Sequence, residues 1–140
     1  MIVFAASDYF VDAVHSAVPE LTIYRDDVPA TPSFPYMLLQ SSFPAVAGRS
    51  VARSVTHREF VARTTFAGLS ARSVEIVMGK AALALEGCWL DVSGWVFGAL
   101  ESRPNDQAIR PDMDVTIPGV GHPFFAVMDW VATGSKLPTP

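Results

Sequence analysis

Two aspartates, Asp112 and Asp114, stand two residues apart, a spacing that could present oxygens to a divalent cation. A calcium or magnesium site needs further oxygen ligands, and no histidine or third acid lies nearby in sequence. The pair therefore reads as a solvated turn ahead of a strand. Asp8 and Asp12 share a helix face at i, i+4, and acids near a helix N-terminus are expected from the macrodipole. Cys88 is the single cysteine, and with His15, His57 or His122 it would have the parts of a nucleophile–base pair. Nothing in the sequence places them together, so Cys88 reads as a small buried hydrophobe. Gly119-Val120-Gly121 lacks the strand-to-helix context and the third glycine of a phosphate loop, and reads as a hairpin tip. The sequence thus assigns no catalytic residue, no metal ligand and no cofactor.

Two features survive that sorting. Gly48 to Arg58 carries Arg49, Arg53, Arg58 and His57 without one acid, in a chain of net charge -4. It reads either as a solvated loop or as a loop that meets an acidic protein surface or passing phosphates. The second feature is an arm over residues 28–35, where Pro29, Pro32 and Pro35 recur at the three-residue period of polyproline II. Such a segment is a semi-rigid spacer and cannot join a central ladder. Trp89, Trp95 and Trp130 read as core or interface anchors, since no basic residues alternate with them.

The elements that must position these residues follow from periodicity. Phe4, Val11, Val14 and Val18 share one face of a first helix that Pro19 stops. Leu21 to Tyr24 is a short strand, and Tyr36 to Gln40 is a second. Ser41 to Thr56 is a long connection that contains most of a basic loop over 43–58. His57 to Phe66 alternates, with Phe60, Ala62, Thr64 and Phe66 opposite Glu59, Val61, Arg63 and Thr65. Ser70 caps a second helix that Gly87 ends. Its stripe is Val74, Val77, Met78, Ala81, Ala82 and Leu85. Ile76, Gly79 and Leu83 form a second apolar line nearly opposite, which asks for a second partner. Cys88 to Val92 and Trp95 to Glu101 read as short strands. Arg110 to Ile117 is a strand that turns through Pro118–Gly121 into a last strand, Pro123 to Ala132. That strand is apolar on both faces, so it is central or covered on both sides. Residues 134–140 form a loose tail. The order α-β-β-β-α-β-β-β predicts an α+β fold, two helices packed on a mixed, mostly antiparallel sheet.

A length of 140 residues suits one domain. Half the residues are hydrophobic and only 17% are charged, against about 25% in ordinary soluble domains. No apolar run approaches the ~20 residues of a membrane helix. The surplus apolar surface therefore points to a protein neighbour. The acidic balance argues against a dedicated nucleic-acid binder. One cysteine allows no internal disulfide and suggests a reducing compartment. The start lacks the basic flank of a secretory signal, which reads as cytoplasmic.

The succession of these segments resembles the tail terminator (tail-completion) proteins of long-tailed bacteriophages, especially those of actinobacterial hosts. The likeness is carried by Val18-Pro19-Glu20-Leu21-Thr22-Ile23-Tyr24, Val28-Pro29, Pro35-Tyr36-Met37-Leu38-Leu39, the long loop, the small-residue helix, Arg110-Pro111-Asp112-Met113-Asp114-Val115 and Phe124-Phe125-Ala126-Val127-Met128. It runs from about Val11 to Val131. The resemblance implies a non-enzymatic virion subunit forming a hexameric ring at the head–tail junction, assembled in the host cytoplasm. Such a ring caps the tail tube, ends its polymerisation and meets the head connector. Its expected partners are copies of itself, the tail tube protein and the connector or stopper, with DNA passing through the lumen. On this reading Pro29, Pro32, Pro35, Ile76 and Leu83 belong to the inter-subunit interface, and Arg49, Arg53 and Arg58 face the lumen or the tube. A neighbouring head–tail connector or head-completion protein is the alternative. A small ligand-binding domain or enzyme stands further off, because no cluster of polar residues supplies a site.

Overall fold

A computed structural model describes residues 2–41, 45–49, 55–103 and 108–137. In chain order the elements are α1 (Ile2–Ala17), β1 (Thr22–Arg25), β2 (Tyr36–Ser41), β3 (Ala45–Arg49), β4 (Val55–Gly68), α2 (Ala71–Leu85), β5 (Trp95–Phe97), β6 (Glu101–Arg103), β7 (Arg110–Pro111) and β8 (Phe124–Lys136). The fold is α+β, as the patterning predicts. Strands β4 and β8 are its spine, antiparallel from His57 opposite Ser135 to Gly68 opposite Phe124. Short strands line each outer side of the spine. β2 and β3 pair with β4, while β5, β6 and β7 pair with β8. β1 lies beyond β2 and parallel to it.

Both helices pack on one face of this sheet. Val74, Val77, Ala81 and Leu85 are buried on α2, as the stripe predicts. Ser70 caps the helix, its Oγ accepting from the Ser73 N–H at 3.1 Å. Gly87 takes the left-handed conformation just past the end, φ 78°. Phe10 of α1 meets Phe60 and Trp130 with ring centroids 6.5 and 6.4 Å away. Thr64 falls on the apolar side of β4 and is fully buried, its hydroxyl donating to the Met128 carbonyl at 2.7 Å.

The long connection after β2 is the main correction. β3 runs beside β4 in the same direction as β2, so β2 and β3 together line one side of β4. Half of the basic loop is therefore strand. Register shifts between Val46, Gly48 and Arg49 break the two-residue period, and bulges of this kind hide a strand from a periodicity argument. Arg53 lies outside the described residues.

The proline arm is the crossover that makes β2 parallel to β1. Retracing the four residues of β1 takes about 13 Å, whereas ten residues of straight polyproline would span about 31 Å. The chain accordingly bends at Ala30–Thr31 and at Phe34–Pro35 and is no straight spacer. The Phe34–Pro35 peptide is cis, and Asp26 opens the arm at φ 66°. The Pro35 carbonyl accepts from the Thr22 N–H at 3.2 Å, which fixes the arm's far end to β1.

Two C-terminal expectations change. The strand expected over Arg110–Ile117 shortens to Arg110–Pro111, and the chain beyond is a loop closed by a bridge between Ile117 and Gly121. β8 runs on to Lys136, so Gly134, Ser135 and Lys136 belong to the sheet rather than to a tail. β8 is central, with strands on both sides. Its core face is buried at Ala126, Met128, Trp130 and Ala132, while Phe125, Val127, Asp129 and Val131 on the other face are only half-buried.

Candidate functional site

The arm and the loop after β7 face each other across an apolar groove of about 590 Å³. Pro29 and Pro32 line one wall, Val115, Ile117 and Val120 line the other, and Tyr36 and Leu69 also line it. Three aromatic rings hold the arm in place. Tyr36 packs against Tyr24 and Phe34 at 5.5 and 5.3 Å, and the Tyr24 hydroxyl accepts from the Ser33 N–H at 3.0 Å. Burial raises the pKa of the Tyr36 phenol, helped by the nearby Asp112 and Tyr24.

Pro35 lies elsewhere. It lines a shallower depression of about 350 Å³ with Glu20, Arg72 and Ile76. The groove and the depression adjoin through the consecutive residues Leu69 and Ser70, one lining each. Four of the predicted interface residues thus border two neighbouring hollows. Leu83 sits two turns beyond Ile76 on the same outward line of α2. These side chains are 46% (Ile76) and 86% (Leu83) exposed.

The second surface is one that residue-by-residue reasoning missed. The sheet face opposite the helices carries Tyr36, Leu38, Val61, Phe125, Val127 and Val131, all half-buried. In its middle Arg63 donates through Nε and Nη2 to both oxygens of Asp129, at 2.9 and 3.1 Å. That carboxylate raises the pKa of the guanidinium. Arg103 pairs with Glu59 at 2.7 Å. Both arginines border a depression of about 380 Å³ together with Asp129, Gln40, Ser41 and Val61. Arg63 is 58% exposed and Asp129 only 15%, so the face turns guanidinium outward and keeps its acid below. The available signal was the apolar character of β8 on both sides, together with Val61 on the nominally polar side of β4.

The remaining candidates stay apart. Arg49 ends β3 opposite Val55, and Arg58 stands opposite Gly134. Both lie toward the end of the spine away from Gly68 and the arm, about 33 Å (Arg58) and about 43 Å (Arg49) from Gly68 along β4. The Asp112 carboxylate accepts from the Asp114 N–H at 3.2 Å and so shapes its own loop. Among the described residues no group of three or more histidines, cysteines or acids could hold a metal. Cys88 neighbours Tyr9, whose phenol pKa it raises. His122 Nδ1 lies 2.6 Å from the Val115 carbonyl, and His15 is exposed on the last turn of α1.

No protein-family model matches the sequence, and no curated protein matches it. Solved structures share the fold. A chain from the virion of a native gene transfer agent particle superposes with a TM-score of 0.56 over 96% of each chain, at 12% identity. A second solved protein, with no stated role, superposes with a TM-score of 0.55 over 98% of this chain and 94% of its own, at 15% identity. At these identities the likeness is one of fold.

Proposed function

We propose that this chain is a structural subunit of a phage-type virion. Copies of it associate into a ring, six-membered by the resemblance noted above, that caps the tail tube, ends its polymerisation and joins the tail to the head connector. The observation that carries this reading is the superposition on a virion-particle chain along nearly the whole length of both. The surface supports it physically. The outward line of α2 and the helix-free sheet face lie on opposite sides of the molecule. Two different sticky sides make head-to-tail contacts, which close into rings when the rotation allows. The role needs no catalytic group and no cofactor.

In this reading the arm, with Pro29, Pro32 and Pro35, flanks the inter-subunit contact made by Ile76 and Leu83. The bent arm is held on its own strands before a partner arrives, which lowers the entropic cost of association. The basic hairpin, with Arg49, Arg53 and Arg58, projects toward the lumen or the tube, far from that contact. A head–tail connector is the second reading, because the likeness names a particle and not a component within it.

Deleting the gene from the phage that encodes the chain separates these roles. A terminator leaves tail tubes of uncontrolled length and unjoined heads. A connector leaves tubes of normal length with unjoined heads. Normal, joined particles would overturn both.

A further inference from the structure

We propose that the apolar groove between the arm and the loop after β7 receives the segment Leu137-Pro138-Thr139-Pro140 of a neighbouring copy, with that copy's Lys136 reaching Asp112. The inference rests on the ring reading and names one of its contacts. The groove measures about 590 Å³, within the roughly 300–1,000 Å³ of sites that enclose a compact ligand. Its walls are uncovered: Leu69, Val115 and Val120 line it and are 45%, 41% and 53% exposed. A contiguous apolar rim of this kind marks a site for a partner. Pro29, Pro32 and Tyr36 give the trough proline and aromatic surface, which suits an extended, proline-containing segment. Asp112 is the one charged side chain among the described residues that line it. The Asp112 carboxylate accepts the Asp114 N–H, and no cation pairs with it among the described residues.

The segment matches that lining. Lys136 is exposed and has no ion-pair partner among the described residues. Leu137 follows where β8 runs out and is 47% exposed. Proline restricts itself and the residue before it to extended conformations, so Pro138 and Pro140 lower the entropy that the segment loses on docking. A cation followed by apolar and proline residues thus meets a lone acid beside an apolar, proline-lined trough. The chain cannot fill its own groove with this segment. Pro123, directly before β8, lines the groove, whereas the Leu137 N–H donates to the Gly94 carbonyl at 2.9 Å at the other end of the spine. Phe124 and Lys136 bound β8, and they stand about 40 Å apart along the strand. Residues 137–140 reach at most about 14 Å. The occupant therefore comes from another copy. Groove and segment are different surfaces at opposite ends of one subunit, so the contact is head-to-tail and repeats from copy to copy.

Disulfide trapping tests the contact in the full-length chain. In a Cys88→Ser background, Val120→Cys marks the groove and Thr139→Cys marks the segment. Val115→Cys replaces Val120→Cys if the latter melts early. Concentrated and oxidised, the double variant is expected to give a ladder of covalent dimers, trimers and higher species. An equal mixture of the two single variants should give one dimer and nothing larger, and neither alone should cross-link. Adding Leu137→Ser to the double variant should cut the ladder yield about ten-fold, equivalent to about 1.4 kcal/mol. An undiminished ladder from that variant would mean chance collision and would overturn the inference. An internally bridged monomer, which would mean that the segment folds back on its own groove, or a dimer from one single variant alone, which would mean a two-fold contact, would also overturn it. No cross-link, while the wild-type mass rises with concentration, would mean that copies meet through other surfaces; the inference fails and the ring stands. No cross-link and a constant monomer mass would count against both.

Discussion

At the residue scale, single buried contacts set measurable stability. Gly134 is buried because the Phe97 ring occupies the space of its missing side chain, and an added Cβ would lie 2.7 Å from that ring. Gly134→Ala should therefore lower stability by about 1–3 kcal/mol, the usual range for overpacking, read as an earlier melt. Thr64 is buried with its hydroxyl satisfied, so Thr64→Val should cost about 1 kcal/mol despite its similar shape. Tyr36 gives a pH signature. Its folded pKa lies above the ordinary value of 10.0. The stability this contributes is complete below that value and is lost as pH rises through the raised one. Denaturant midpoints should thus fall less steeply above about pH 10 for Tyr36→Phe than for wild type. Some slope should remain, because the Tyr9 phenol is also raised, chiefly by Cys88. Ser70 and Gly87 were legible as caps because a cap is a local event. The Gly134–Phe97 contact joins strands 37 positions apart, and no local pattern announces it.

Elements were legible where their period was unbroken. The α2 stripe and the alternation in β4 follow directly from residue spacing. β3 did not, because its bulges and small residues blur the period, and the arm's bends did not, because crossover geometry depends on β1 and β2 pairing in parallel. The arm and the hairpin make separable predictions. Pro29→Ala with Pro32→Ala should weaken association between copies while leaving the melting temperature nearly unchanged. Pro35 serves the fold as well, since its carbonyl holds Thr22. An unchanged assembly with an earlier melt would confine the whole arm to folding. Charge reversal at Arg49 and Arg53 should impair tube capping or head joining without lowering stability, and normal capping and joining would remove the hairpin from that role.

At the scale of the whole molecule, the apolar composition leaves large hydrophobic side chains exposed, and the fold shows where they lie. Some line the arm groove, some follow the outer line of α2, and some cover the sheet face that no helix packs on. Asp112 shapes the loop after β7, and Arg49 and Arg58 stand at the far end of the spine. If the proposed reading holds, the particle that contains this chain gives the most direct test. A reconstruction of its head–tail junction should show a closed ring of this subunit. A junction without the chain, or with isolated single copies of it, would contradict the account.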